Sequence, residues 1–169
     1  MPRLFVAVWP PPELVAQLAA LPRPDMAGLR WTRPEQWHVT LRFLGSVAEG
    51  EPVIEALASM AAAPVEAMAG PATGRFGQRV LHLPVGGLAD LAAGVVRATQ
   101  LLGKEPEHRP FAGHLTLARV APGARVDLRP LAGVPVGGRW PVREVTLVES
   151  RLSPSGPRYQ VVKRFPLAG

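Results

Sequence analysis

The chain has 169 residues, a common size for one domain, and 47% of them are hydrophobic, which is enough to build a core. It has no cysteine, which excludes disulfides, thiolate metal sites and cysteine nucleophiles. The formal charge is +6, and 17 of the 19 basic residues are arginine, since Lys104 and Lys163 are the only lysines. An arginine-rich surface suits a polyanionic partner, but GC-rich coding would give the same composition.

Hydrophobic periodicity, with proline and glycine as breaks, predicts alternating strands and helices. The predicted elements in chain order are strand 4–8, helix 13–21, strand 38–44, helix 51–63, short strands 65–68 and 75–76, strand 80–85, helix 88–102, and strands 114–120, 142–152 and 159–165. The predicted loops are 31–37, 105–113 and 121–138. This order predicts an α+β fold with a mainly antiparallel sheet and helices on its outer faces.

The opening segment does not resemble a signal peptide, because its apolar stretch is short and ends in three prolines. No segment approaches the roughly 20 apolar residues that span a bilayer. We therefore expect a cytoplasmic protein with no membrane association. Nothing resembles a heptad seam, and a monomer is expected.

The two halves of the chain resemble each other. Each has a strand, a helix and then a His-x-Thr-Leu strand, which is His38-Val39-Thr40-Leu41 in the first half and His114-Leu115-Thr116-Leu117 in the second. The spacing is too long for a solenoid repeat, and no interdomain linker separates the halves. We predict a single domain over residues 1–169, made of two pseudo-symmetric lobes whose mainly antiparallel sheets face a central cleft.

The two motifs have the residue types that cyclic phosphodiester cleavage needs. Residues i and i+2 of a strand point to the same face, so each motif places its histidine and threonine together, with its two aliphatic side chains opposite. If the lobes bring these faces together, one imidazole can deprotonate water, the other can protonate the departing ribose oxygen, and the hydroxyls can donate to phosphate oxygens. A metal is not obligatory, because the five-membered cyclic phosphate is strained and carries one negative charge. No cysteine or carboxylate accompanies the histidines at zinc-ligand spacing.

The motifs and their surroundings resemble the RNA 2′,3′-cyclic phosphodiesterases, often labelled 2′-5′ RNA ligases, of the 2H phosphoesterase superfamily. The resemblance covers nearly the whole chain and includes residues 3–8, 37–45, 109–119 and 145–152. It implies a bilobal fold, no metal or other cofactor, and hydrolysis to a 2′-phosphomonoester, with His38 as the general acid and His114 as the general base. The implied substrates are RNA ends with a 2′,3′-cyclic phosphate or small cyclic nucleotides.

The resemblance also implies that Phe43 stacks on a base and that Arg119 contacts phosphate or ribose. Simple alternation instead places Arg42 on the face of His38, which makes Arg42 a third candidate for substrate binding. A bulge or twist at the end of the strand would bring Phe43 to the cleft. Gly113 stands where the family often has proline, and is expected to loosen the start of the second motif strand.

Two other functions are open. One is ATP-independent RNA ligation, the reverse reaction, which we interpret as a side activity because water is in great excess. The other is a non-catalytic RNA-binding module, whose salt-sensitive binding would survive loss of both histidines; binding alone needs no symmetric imidazoles. Of the remaining residues, His82 is interpreted as structural or at the cleft rim, His108 as solvated, and Tyr159 as packing at the start of the last strand.

Overall fold

The computed structural model describes residues 2–168. Within them lie ten strands, β1 (Arg3–Val8), β2 (Leu29–Trp31), β3 (Val39–Ser46), β4 (Val65–Ala69), β5 (Gly74–Phe76), β6 (Val80–Gly86), β7 (His114–Val120), β8 (Gly138–Val142), β9 (Glu144–Ser153) and β10 (Gly156–Pro166). The helices are α1 (Pro12–Ala19), α2 (Glu51–Ala58) and α3 (Ala89–Thr99), with single 3₁₀ turns at Pro34–Gln36 and Arg129–Leu131. None of the helices described is long and apolar enough to cross a membrane.

The strands form one hydrogen-bonded path, β10-β9-β1-β3-β7-β6-β4-β8, with β2 added on β7 and β5 on β6. Each of these pairings within residues 2–168 is antiparallel. The path is symmetric in its order, because the motif strands β3 and β7 lie at its centre, and β1 and β6 flank them. The two halves meet where Val39 pairs with Leu115, so the two predicted sheets are joined into one. The α+β fold with mainly antiparallel pairing is confirmed.

One face of the sheet packs against the helices, and the other is left for the cleft. Alternation in β1 shows the division: Leu4, Val6 and Val8 belong to the main core with the buried leucines of α1, whereas Phe5 and Ala7 belong to a small separate cluster on the opposite face. We call this opposite side of the sheet the cleft face. The helices therefore protect one side of the sheet from water and leave the motif histidines on the other.

Most element bounds differ from prediction by a few residues, and the larger differences concern β2, β8 and α2. β2 and β8 are not predicted as strands of their own, each overlaps a predicted loop at one residue, and α2 ends at Ala58 instead of residue 63. β8 contains Gly138 and Pro141, which weaken a strand signal, but β8 lies at the end of the sheet path, where proline is tolerated. Beyond α2 the chain runs to Pro64, and proline disfavours helical conformation in the residue before it.

Candidate active site

The two motif histidines are held in the same way. The Nδ1–H of His38 donates to the carbonyl of Gln36 at 2.7 Å, and the Nδ1–H of His114 donates to the carbonyl of Ala112 at 2.8 Å. In each case the acceptor is the residue two positions before the histidine. Because a backbone carbonyl can only accept, both rings carry their proton on Nδ1 when neutral, which leaves Nε2 for chemistry.

The motif threonines lie beside the histidines. The hydroxyl of Thr40 donates to His38 Nε2 at 2.9 Å. Antiparallel pairing of Val39 with Leu115 sets His38 opposite Thr116, and Thr40 opposite His114. The two imidazoles and the two hydroxyls therefore lie together, as a group of four side chains, at the junction of the lobes.

His38 is enclosed by aromatic rings. Its imidazole centroid lies 4.8 Å from that of Phe5, 5.2 Å from that of Tyr159 and 5.6 Å from that of Trp9. These rings come from β1, its C-terminal continuation and β10. The packing removes water from one side of the imidazole and fixes the ring plane.

His114 has a smaller and more polar enclosure. Phe76 meets its ring edge-on at 4.8 Å, and His82 lies 5.6 Å away. Phe76 and His82 stack on each other with centroids 3.9 Å apart. His82 is 7% exposed, and its Nδ1 has no hydrogen-bond partner among the described residues. His82 thus packs in the wall behind His114.

The enclosure lowers the basicity of both motif histidines. Burial lowers the pKa of His38 from 6.5 to about 4, against the opposing effect of the Gln36 carbonyl, and Arg119 and His114 lower it further. Burial also lowers the pKa of His114, where the Ala112 carbonyl opposes the effect and Arg119 adds to it. The lowered pKa values favour the neutral form of both imidazoles at neutral pH.

Each motif strand has a bulge at its fourth residue. In the β1–β3 ladder Ala7 pairs with Thr40 and Val6 with Arg42, which leaves Leu41 without a partner. In the β6–β7 ladder His82 pairs with Thr116 and Leu81 with Ala118, so Leu117 is the extra residue. A bulge resets the alternation of side chains by one position. Consequently the sixth residue of each motif, Phe43 or Arg119, returns to the cleft face.

Phe43 and Arg119 are both exposed on that face. Phe43 is 37% exposed, and the Arg3 guanidinium lies 5.4 Å from its ring centroid. The charge of Arg119 acts on the pKa of His38, His114 and Tyr159, which places the guanidinium near all three. The two ends of the site therefore present different chemistry, an aromatic ring and a cation.

The expectation that Arg42 shares the face of His38 is wrong. Because of the bulge at Leu41, Arg42 turns to the helix side, where it is 5% exposed. Its Nη2 donates to the carbonyls of Thr99, Leu102 and Lys104 at 3.4, 3.0 and 2.8 Å. Arg42 thus satisfies the C-terminal carbonyls of α3 and the loop that follows, and its donors are not available to a substrate.

Gly113 does not loosen the second motif strand. Its carbonyl accepts from the backbone N–H of Val85 at 2.9 Å, which ties the residue before His114 to β6. A Cβ at this position would collide with the Val85 carbonyl oxygen. The glycine permits a close backbone approach that holds His114 in place.

Sequence reasoning does not identify the rings that enclose the histidines. Phe5, Trp9 and Phe76 are predicted only as parts of strands or breaks, and Tyr159 is expected only to pack. Alternation offers a signal for Phe5, which shares a face with the small Ala7 in a strand that flanks the first motif.

His108 does not belong to this site, because it forms an exposed pair with Glu105 at 3.1 Å.

Known proteins share this arrangement of strands. The family description "LigT like Phosphoesterase" matches residues 8–72. An RNA 2′,3′-cyclic phosphodiesterase of Thermus thermophilus is 36% identical over 187 aligned positions, which cover 99% of this chain and 91% of the relative. The chain belongs to the LigT-like phosphoesterase family. The resemblance drawn from the motifs, and the interpretation of the chain as a hydrolase, are thereby confirmed.

Other members of the LigT-like family agree over most of the chain. An RNA 2′,3′-cyclic phosphodiesterase of Geobacillus stearothermophilus is 34% identical over 153 residues, covering 82% of this chain and 48% of the relative, so this chain spans about half of that protein. The crystal structure of a Thermus thermophilus protein matches with a TM-score of 0.79 at 35% identity, covering 98% of this chain and 97% of that one. E. coli LigT complexed with 3′-AMP matches with a TM-score of 0.75 at 26% identity, covering 99% of each.

Proposed function

We propose that this chain hydrolyses RNA or nucleotide 2′,3′-cyclic phosphodiesters to 2′-phosphomonoesters without a metal ion. The observation that carries the proposal is the matched orientation of the two imidazoles. Each is fixed through Nδ1 by a carbonyl, which leaves Nε2 for chemistry, and the Nε2 of His38 lies 2.9 Å from the Thr40 hydroxyl. A pair of oriented imidazoles can act as acid and base in the same displacement.

The proposed reaction uses each motif residue once. His114 Nε2 removes a proton from water as the water oxygen attacks phosphorus. The P–O3′ bond breaks, and His38 donates its Nε2 proton to the departing 3′-oxygen, which leaves a 2′-phosphate and a 3′-hydroxyl. The hydroxyls of Thr40 and Thr116 donate to the non-bridging oxygens, where charge accumulates in the transition state. The assignment of acid and base to the two histidines is part of the proposal and comes from the family resemblance.

We expect the charge of the bound substrate to raise the pKa of His38, so that the imidazole takes up a proton from solvent. Burial holds the pKa of His38 at about 4, so an acid at this position needs a nearby anion. The single negative charge of the cyclic phosphate favours the imidazolium. Substrate binding is therefore expected to draw one proton from solvent, and kcat/KM is expected to follow a bell-shaped pH profile.

The remaining site residues bind and orient the substrate. Phe43 offers an exposed ring face for a base, and Arg119 offers a fork of donors for phosphate or ribose. Both lie on the cleft face because of the motif bulges. Phosphate bound by Arg119 would also reduce the effect of the Arg119 charge on the two histidines.

The test is turnover of a 2′,3′-cyclic nucleotide in the presence of EDTA. We expect the wild type to remain active, and His38→Ala and His114→Ala to lose at least about 100-fold in kcat, the usual contribution of a general acid or base. His108→Ala, which removes an exposed histidine, is the matched control and should stay within twofold. Phosphorus NMR should show a 2′-phosphate. Unchanged turnover in both motif variants would remove the basis of the proposal.

A further inference from the structure

A cavity of about 450 Å³ lies beside two of the rings that enclose His38, outside the group of four motif residues. It opens between the cleft face of β10 and the segment that joins β8 to β9. Trp9 and Tyr159 form one wall, and Val161 continues the lining along β10. The volume falls within the range of roughly 300–1,000 Å³ that small-molecule sites occupy.

The aromatic walls of this cavity are already fixed. The indole Nε1–H of Trp9 donates to the hydroxyl of Thr146 at 2.7 Å, and Thr146 is fully buried. Tyr159 packs edge-on against Phe5 with ring centroids 5.1 Å apart. Because these side chains are already ordered, they lose little conformational entropy when a planar ligand stacks on them.

The charged residues that line the cavity are two arginines and two glutamates, of which Glu35 is paired with Arg33 at 2.7 Å. Arg164 is paired with Glu144 at 2.9 Å, and both line the cavity. Arg143 also lines it and forms no ion pair with a carboxylate of residues 2–168. Aromatic faces for a base, a cation for phosphate and a carboxylate for a base amino group are the elements that single-stranded RNA sites combine.

The cavity also adjoins the reacting centre. Trp9 and Tyr159, which form its wall, are the same rings that enclose His38. A nucleotide in the cavity would therefore lie next to a cyclic phosphate held between the histidines. We propose that this cavity binds the penultimate nucleotide of a single-stranded RNA, the one linked to the 5′ side of the nucleotide that bears the cyclic phosphate, an inference that rests on the proposed function. A cyclic mononucleotide has no such neighbour and leaves the cavity empty.

The experiment compares two substrates on two variants. Val161→Trp fills the cavity from β10, an edge strand on which Val161 is already 36% exposed. Val162→Trp is the matched control, because Val162 is the next residue, is similarly exposed at 42%, and does not line the cavity. The substrates are a cyclic mononucleotide and a short RNA that ends in the same cyclic nucleotide.

We expect Val161→Trp to lower kcat/KM for the RNA by about tenfold or more, the loss that accompanies removal of one base stack, mainly through KM. Its kcat/KM for the mononucleotide should stay within twofold, and Val162→Trp should change neither substrate. Equal losses on both substrates, or no loss on the RNA, would overturn the proposal. So would an RNA-specific loss in Val162→Trp as large as that in Val161→Trp.

A binding measurement separates this proposal from the catalytic one. If the wild type hydrolyses neither substrate, the proposed function fails, and the cavity is tested with an RNA that ends in a 2′-phosphate. Fluorescence anisotropy should then show weaker RNA binding to Val161→Trp than to Val162→Trp. Equal affinities would overturn the cavity assignment by itself.

Discussion

Arg42 and Arg119 show how one position in a strand decides between a structural role and the proposed binding role. Arg42 is the fifth residue of the first motif and faces α3, whereas Arg119 is the sixth residue of the second and faces the cleft. The guanidinium of Arg42 is surrounded by backbone carbonyls, while Arg119 is exposed near both histidines. Replacing each by methionine separates the two roles.

We expect Arg42→Met to lower the free energy of unfolding by about 2–4 kcal/mol, because buried carbonyls lose their donors. Its kcat/KM for a cyclic nucleotide should stay within about threefold. Arg119→Met should do the opposite, with at least a tenfold loss of kcat/KM and an unfolding free energy within about 0.5 kcal/mol of wild type, as for most exposed substitutions. Urea unfolding and steady-state kinetics on both variants measure the contrast. If Arg42→Met loses activity without losing stability, Arg42 contributes to substrate binding and not to the stability of the fold.

The buried imidazole of His38 ties stability to pH. Its pKa is about 4 in the folded protein and 6.5 without burial, so the unfolded chain takes up the proton first as the pH falls. This stabilising contribution is complete above pH 6.5 and is lost as the pH falls towards 4. The loss amounts to about 3 kcal/mol in the free energy of unfolding.

His38→Gln, which has no titrating ring, should lack this component. Urea unfolding at pH 7 and at pH 4.5 should therefore show a smaller drop for the variant than for the wild type, whatever its stability at pH 7. If the two proteins lose the same free energy over this interval, His38 is not buried in its neutral form.

At the scale of elements, the start of β7 depends on a close contact between two backbones. Gly113 lies against Val85 of β6, with no space for a side chain. We expect Gly113→Ala to displace the residues that hold His114, which should lower both kcat and the free energy of unfolding, the latter by about 1–3 kcal/mol, as overpacking usually does. Gly50→Ala is the control, because no atom lies within 4 Å of a Cβ there and its φ of −79° suits alanine. Wild-type kinetics in Gly113→Ala would show that the contact does not position His114.

Alternation and duplication predicted the central part of the site but not its sixth motif residues. His38 and Thr40 share a face because only two positions separate them, before any irregularity can intervene. Phe43 lies beyond the bulge at Leu41, and nothing in the pattern of Leu41 and Arg42 distinguishes a bulge from a regular strand. Only the family resemblance pointed to Phe43, and the register of β3 against β1 explains why.

The enclosing rings could not be found for a different reason. Phe5 and Tyr159 lie on strands that meet only through β9, which pairs with β1 on one side and β10 on the other. Contacts between residues so distant in sequence depend on strand order, which local patterns do not report. The same limit applies to β8, whose strand character comes from its pairing with β4 more than from its own residues.

At the scale of the whole molecule, the two lobes share one core. The cluster of buried residues that packs against the helices runs without interruption from β1 and β3 to β6, β7 and β8. That residues 1–169 form a single domain stays a prediction, and this continuous core supports it. We expect one cooperative unfolding transition, with the same midpoint by tryptophan fluorescence and by far-UV circular dichroism. Two transitions, or midpoints that differ between the probes, would indicate that the lobes unfold separately.

Under the proposed function, the paired bulges have a consequence for the direction in which an RNA end can bind. An RNA end is polar, with a base and a chain on one side of the phosphate and a free ribose oxygen on the other. A site built from two equal half-motifs would accept it in either orientation. The extra residue in each strand turns the sixth motif position to the cleft face, and the halves differ in kind there, with phenylalanine in the first and arginine in the second. If the proposed function holds, we expect these two side chains to fix the orientation in which an RNA end binds in a nearly symmetric cleft.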